Sequence, residues 1–165
     1  MEEDISTCIE IYKNQLIQGS IRRAYMLLTR YMRELKAKFP EPYLTGNISL
    51  GYLDYTYFPF FNSYLRQHKL RFGIVLNHLE MRFELWLMGQ NASVQEKYWK
   101  LLKDTDWNKD KKVMPQYSVL EVCLENDIDF SHKDLMTDKI FNSAISLAER
   151  IQDFYKYFVR TGKTL

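Results

Sequence analysis

Three stretches of the chain carry apolar residues at helical spacing. Residues 4–18 and 20–38 both place an apolar residue every three or four positions. Gly19 lies between these stretches and can end the first helix, and Pro40 follows the second and stops it. The pattern predicts an N-terminal helical hairpin. A wider apolar stripe from about His132 to Arg160 predicts a long C-terminal helix.

The middle of the chain follows a different period. Residues 47–61 are rich in Tyr, Phe and Thr and predict a strand, while residues 70–78 and 81–89 alternate between apolar and other side chains. The short segment between the last two stretches predicts a hairpin turn. If His78 lies opposite Met81, all alternating apolar positions fall on one face, and a slip of one residue would break this arrangement.

The same register defines a second face of the predicted hairpin, which we call the mixed face because it combines polar and aromatic residues. Its cross-strand pairs are Asn77 with Arg82, Val75 with Glu84 and Gly73 with Trp86. A large indole beside a glycine is a known way to cover a bare strand position. We therefore expect the mixed face to be the working surface of the protein.

Two capping-box patterns predict short helices after the hairpin. Ser93 and Glu96 would open a helix that ends near Lys103. Ser118 and Glu121 have the same spacing and predict a second short helix that ends near residue 125.

These elements together predict the α+β class. We expect an antiparallel sheet of three to four strands, packed on one face by the N-terminal helical hairpin and the long C-terminal helix. The length of 165 residues suits one domain over residues 1–165.

Composition narrows the class of protein further. Hydrophobic residues make up 46% and charged residues 27%, which excludes a disordered chain, and the net charge of +2 disfavours an obligatory nucleic-acid partner. The sequence lacks an apolar run long enough to span a membrane, and Met1 to Asp4 do not resemble the start of a signal peptide. We therefore expect a cytoplasmic protein without a membrane partner, in which Cys8 and Cys123 are buried thiols.

The scattered histidines predict no metal site, and no motif implies a cofactor.

The central block resembles an uncharacterised family of small bacterial proteins, known as a domain of unknown function. The stretches that carry the resemblance are residues 51–58 (GYLDYTYF), 74–78 (IVLNH), 82–87 (RFELWL) and 95–100 (QEKYWK). The resemblance implies a bacterial, cytoplasmic protein, and it implies no catalytic residue or ligand.

The candidate binding residues lie on the mixed face and on the strand predicted beside it. They are Tyr52, Asp54, Thr56, Arg82, Glu84 and Trp86. Carboxylates next to a stacking indole can hold a cationic or polyol ligand. We therefore expect a small-molecule-binding or interaction module that uses this polar–aromatic sheet face. The alternative is that these residues have only a structural role. Arg82 and Glu84 would then form an ion pair on a solvated strand face, and Asp54 would bond to a tyrosine hydroxyl.

Other functions remain open at this point. Asp54 and Glu84 could be the paired carboxylates of a metal-free hydrolase or lyase, if aromatic walls raise their pKa values. Arg22, Arg23, Arg30 and Arg33 share a basic helix face that could bind nucleic acid weakly. The aromatic run over residues 52–64 could mediate a homodimer or bind a protein partner, although core packing is the favoured explanation.

Overall fold

The computed structural model describes residues 4–160, with the main chain only at position 159. The helices are α1 (Ile5–Gln18), α2 (Ser20–Ala37), α3 (Ser63–Gln67), α4 (Ala92–Leu102) and α5 (Lys133–Arg160), with a 3-10 turn over Phe130–His132. The strands are β1 (Leu44–Thr45), β2 (Tyr55–Phe61), β3 (Leu70–Asn77), β4 (Arg82–Gly89) and β5 (Leu120–Glu125).

The strands form one antiparallel sheet in the order β1-β2-β3-β4-β5. This confirms the α+β class, and the five strands slightly exceed the predicted three to four. The predicted register of the β3–β4 hairpin is also confirmed, since Leu76 pairs with Phe83 and Gly73 pairs with Trp86. Asn77 shapes the turn, because its Oδ1 accepts hydrogen bonds from the backbone N–H groups of Leu79 and Glu80.

The short helix predicted after Ser118 is wrong, because residues 120–125 form β5. Ser118 Oγ donates to Glu121 Oε1 at 2.7 Å, but this bond stabilises the entry to a strand instead of capping a helix. The unpaired edge of β4 decides the outcome: Val119 N–H donates to the carbonyl of Leu87 at 2.7 Å, and the ladder continues from there. The capping-box pattern contains no information about the free edge of β4, so it could not predict this pairing.

Two further boundaries differ from the predictions. The strand expected over residues 47–61 begins only at Tyr55, because Gly51 and Leu53 adopt positive φ angles of 65° and 67° and turn the preceding segment. The N-cap of α4 is Asn91 and not Ser93, since Asn91 Oδ1 accepts the N–H of Val94 at 3.0 Å.

The main core lies between one face of the sheet and three helices. Alternate residues of β2, β3 and β4 project into it, and α2, α4 and α5 cover them. The fully buried side chains include Phe58, Phe60, Phe72, Ile74, Leu76, Phe83, Leu85 and Leu87. The predicted long C-terminal helix is confirmed as α5, whose 28 residues contribute the largest helical share of this core.

Helix α1 does not pack on the sheet as expected. None of its residues is buried, and it packs against α2, while α2 contacts the sheet through β2. The expectation that Cys8 and Cys123 are buried is consequently wrong, because both thiols are exposed. Cys8 lies on α1, and Cys123 lies on the edge strand β5.

Among the described helices, none is both long and apolar enough to cross a membrane.

Candidate ligand cleft on the mixed face

The mixed face carries a second, small apolar cluster on the side of the sheet away from the helices. Val75, Trp86 and Met88 form this cluster, and Tyr55 and Tyr57 of β2 pack against it. Strand alternation places these residues together, because every second side chain of β2, β3 and β4 projects to this side. The mixed face is therefore packed at its centre and not simply solvated.

Glu84 is an ordered carboxylate at the edge of this cluster. Its side chain is only 4% exposed, and three donors surround it. Trp86 Nε1–H donates to Oε2 at 2.6 Å, while Arg82 Nε–H and Asn77 Nδ2–H donate to Oε1 at 2.6 and 3.1 Å. A buried charge with this many partners fixes the side chains around it.

Trp86 is held in place from two sides. Its indole N–H is tied to Glu84, and the Tyr55 ring meets the indole edge-on with ring centroids 4.8 Å apart. Gly73 lies directly across the ladder from Trp86, but the nearest atom to where its Cβ would sit is Met88 Cε at 2.6 Å. The bare position expected to lie under the indole is therefore covered by the methyl group of Met88.

A cleft of about 450 Å³ opens beside this cluster. Its floor is the mixed face, and its walls come from the loop before β2, the start of α4 and the loop before β5. The lining residues are Ser49, Gly51, Asp54, Tyr55, Tyr57, Arg71, Trp86, Met88, Gly89, Gln90, Asn91, Ala92, Gln95, Gln116 and Tyr117. The combination of aromatic surface with a few polar side chains is typical of a small-molecule site.

Arg71 is the most unusual residue of the cleft. It is half-buried on β3, opposite Met88, and its Nε is buried without a hydrogen-bond partner. Within residues 4–160, no carboxylate forms an ion pair with it. A buried guanidinium N–H without an acceptor is costly, so a bound acceptor would compensate it.

Arg71 alternates with Gly73 and Val75 along β3 and so belongs to the mixed face, but it was not among the candidate binding residues. The signal was present in the register, which sets Arg71 opposite Met88 and away from every acidic residue of the hairpin. The walls of the cleft carry no comparable signal, because only the tertiary fold brings Gln95 and Tyr117 into the same cleft as Arg71.

The structure separates the six predicted binding residues. Asp54 and Trp86 line the cleft. Arg82 and Glu84 lie on the same face but bond to each other. Tyr52 is 97% exposed in a turn. Thr56 faces the main core, where its hydroxyl donates to the carbonyl of Leu50 and contacts His78 Nε2 at 2.8 Å. Thr56 therefore cannot line the cleft, since one strand position reverses the side chain's face.

The paired-carboxylate hypothesis gains no support from the geometry. Backbone N–H groups of Tyr55 and Tyr52 donate to Asp54 Oδ1 and hold the pKa of Asp54 below its ordinary value. The expected increase in pKa is wrong for this residue, because the carboxylate is exposed and bonded to its own turn. Three donors already occupy the carboxylate of Glu84.

The basic helix face lies on α2. Arg22, Arg23, Arg30 and Arg33 are all exposed there, and Arg30 also forms an ion pair with Glu34 at 3.2 Å. Lys133 bonds to the same carboxylate of Glu34. Part of this basic face is thus neutralised by neighbouring acid, and nucleic-acid binding stays a prediction.

The aromatic run over residues 52–64 mainly builds the core. Phe58 and Phe60 are fully buried, and Tyr55 and Tyr57 pack on the cluster of the mixed face. The outer edge of β2 is paired in part by β1 and by a bridge between Ser49 and Tyr57.

Within the described residues, no three His, Cys, Asp or Glu side chains are grouped so that they could hold a metal ion.

The architecture defines a class of α+β protein in which an antiparallel five-stranded meander carries helices on one face and an open cleft on the other. Residues 5–155 match the family described as Domain of unknown function (DUF7000), and the chain belongs to that family. The comparisons with curated proteins and with solved structures gave no significant match.

Proposed function

We propose that this protein binds a small anionic molecule in the cleft of the mixed face, with the anion held by Arg71. The ligand class is a carboxylate or phosphate carried on a planar or apolar group. The observation that carries the proposal is the buried Nε of Arg71, which has no acceptor within the described structure.

The chemistry of the donor favours an anion. A guanidinium presents its N–H groups in a rigid fork that matches the oxygens of a carboxylate or phosphate, and such charge-assisted bonds are about twice as strong as neutral ones. The side-chain amides of Gln90, Gln95 and Gln116 also line the cleft and can bond to further oxygens of the ligand.

The aromatic surface favours a planar or apolar group next to the anion. Tyr57, Trp86 and Met88 form an apolar floor, and the bond from Trp86 to Glu84 orients the indole before any ligand arrives. A preformed floor costs little conformational entropy on binding. The structural role of Glu84 is therefore to position Trp86, and the role of Arg71 is to select charge.

The first test is a thermal-shift screen followed by calorimetric titration. The probes are inorganic phosphate, AMP, tryptophan, phenylpyruvate and benzoate, and spermidine serves as the cationic counterpart. A ligand at 100 times its Kd adds about 2.7 kcal/mol to the free energy of unfolding, which the melting temperature reports. We expect at least one ring-bearing anion to stabilise the protein and spermidine to have no effect.

Two matched variants locate the site. Arg71→Met removes the charge while keeping most of the side-chain volume, and it should weaken binding about 10- to 100-fold. Arg150→Met makes the same change on the exposed surface of α5 and should leave the affinity unchanged. Equal affinity in the two variants, or a response to spermidine alone, would contradict the proposal.

A further inference from the structure

The N-terminal helices leave an extensive apolar surface uncovered. All 14 residues of α1 are exposed, including Ile5 at 72% and Tyr12 at 65%. The exposed apolar side chains of α1 and of the first half of α2 are Ile5, Ile9, Ile11, Tyr12, Leu16, Ile17, Ile21, Met26 and Leu27. A 14-residue helix is marginal in water on its own, so its stability depends on covering such a surface.

This surface is continuous across the two helices. A groove of about 460 Å³ is lined by Ile11, Tyr12, Leu16 and Ile21, together with Leu53. Leu16 also lines the neighbouring hollow of about 330 Å³, with Ile17, Met26 and Leu27. The nine side chains together expose on the order of 1,000 Å² over adjoining faces of α1 and α2, if each fully exposed side chain presents roughly 200 Å². Each partner of a standard interface buries about 800 Å², and the largest patch on a typical monomer is only about 300–600 Å².

The stripe at the centre of α1 is self-complementary. Ile5, Ile9, Tyr12 and Leu16 follow one another at spacings of four, three and four residues, which read the same in both directions. If two copies of α1 run antiparallel about a two-fold axis, Ile5 of one copy lies opposite Leu16 of the other, and Ile9 lies opposite Tyr12. An isologous dimer requires such a patch, because each surface must match itself.

The charges of α1 do not suit the other occupants. The helix carries one acid, Glu10, and one base, Lys13. A nucleic acid or an anionic membrane would be attracted by clustered lysines and arginines. The stripe of α1 offers no such cluster, and the two grooves beside it add Arg22 and Arg23 of α2. A neutral apolar helix suits a second neutral apolar helix.

We propose that this chain forms a two-fold symmetric homodimer in which the two α1 helices pack antiparallel through Ile5, Ile9, Tyr12 and Leu16. The grooves between α1 and α2 receive side chains of the opposite copy, so the two hairpins form a four-helix arrangement. None of the residues that line the two grooves also lines the cleft that contains Arg71.

Sedimentation equilibrium of the full chain provides the test. We expect a mass of twice 19.9 kDa for the unchanged protein. Ile9→Lys and Tyr12→Glu each place a charge against an apolar side chain of the other copy and should each weaken dimerisation at least about 100-fold. Because neither residue is buried within one copy, both variants should keep the helical circular dichroism of the unchanged protein.

The combined variant tests the antiparallel pairing. With Ile9→Lys and Tyr12→Glu together, the introduced lysine of each copy faces the introduced glutamate of the other, and the dimer should return. Leu79→Lys, at an exposed apolar position in the β3–β4 turn, is the control and should remain dimeric. The proposal is overturned by a monomeric unchanged protein, by single variants that stay dimeric, or by a combined variant that stays monomeric. Cosedimentation of a monomeric chain with anionic vesicles would assign the surface to a membrane instead.

Discussion

Trp86 Nε1 lies 2.6 Å from Glu84 Oε2, two residues earlier on the same face of β4. This bond links a buried charge to the aromatic floor of the cleft. Strand alternation brings the two side chains to one face, and the remaining oxygen of Glu84 is engaged by Arg82 and Asn77. A pattern that resembles an acid site in the sequence thus serves, in the fold, to orient Trp86 at the candidate cleft.

We expect Glu84→Gln to destabilise the protein by about 2–3 kcal/mol, because a neutral amide cannot accept from all three donors and leaves at least one of them unpaired. Urea unfolding followed by circular dichroism measures this change. Glu96→Gln is the control, since Glu96 is exposed on α4 and should change the free energy of unfolding by less than about 0.5 kcal/mol. Similar values for the two variants would show that Glu84 is not a structural hub.

We expect Gly73→Ala to cost about 1 kcal/mol, because the added methyl group would meet Met88 Cε at 2.6 Å. The end of a methionine side chain is flexible, so the cost stays small. If the clash with Met88 is the cause, Gly73→Ala should cost less in a Met88→Ala background. A double-mutant cycle of unfolding free energies gives this coupling. Additive effects would assign the glycine another role.

We expect a pH dependence of stability that arises from His78. Burial lowers the pKa of His78 below its ordinary value, although the charge of Asp54 acts in the opposite direction. The unfolded chain then binds a proton before the folded protein does, so this contribution is complete above about pH 6.5 and is lost as the pH falls below it. Urea unfolding at pH 7.5 and pH 5.5 measures the loss.

His78→Gln serves as the comparison for this titration. The variant can keep a hydrogen bond to Thr56 without a titrating group, so the difference in stability between the two pH values should shrink. If the unchanged protein and the variant respond equally to pH, the dependence arises from other groups.

We expect Arg71→Met to leave the ligand-free protein at least as stable as the unchanged one, with a gain of up to about 1 kcal/mol, because it removes a buried N–H that lacks an acceptor. Thermal unfolding without ligand measures this. A loss of more than about 2 kcal/mol would mean that Arg71 supports the fold, and the case for a binding role would then fail.

Much of the sheet could be predicted from the sequence, and particular residues show why. Strict alternation through Leu76 and Phe83 permits one register, since a slip would expose the apolar set. The capping box of Ser118 and Glu121 was misleading, because the choice between helix and strand there depends on the free edge of β4. A local pattern predicts an element correctly when the residues of that element supply their own hydrogen-bond partners. The prediction fails when another segment of the chain supplies those partners.

The fold class, the β3–β4 register and the mixed face follow from the sequence, because two-residue and 3.6-residue periods arise directly from backbone geometry. Long-range contacts were needed to show that Thr56 faces the core, that Asp54 is bonded to its own turn and that Arg71 lacks an acceptor. They were also needed to show that α1 leaves its apolar stripe exposed. These properties depend on burial and on hydrogen-bond partners. Both are decided by contacts between segments distant in the sequence, which local residue spacing does not specify.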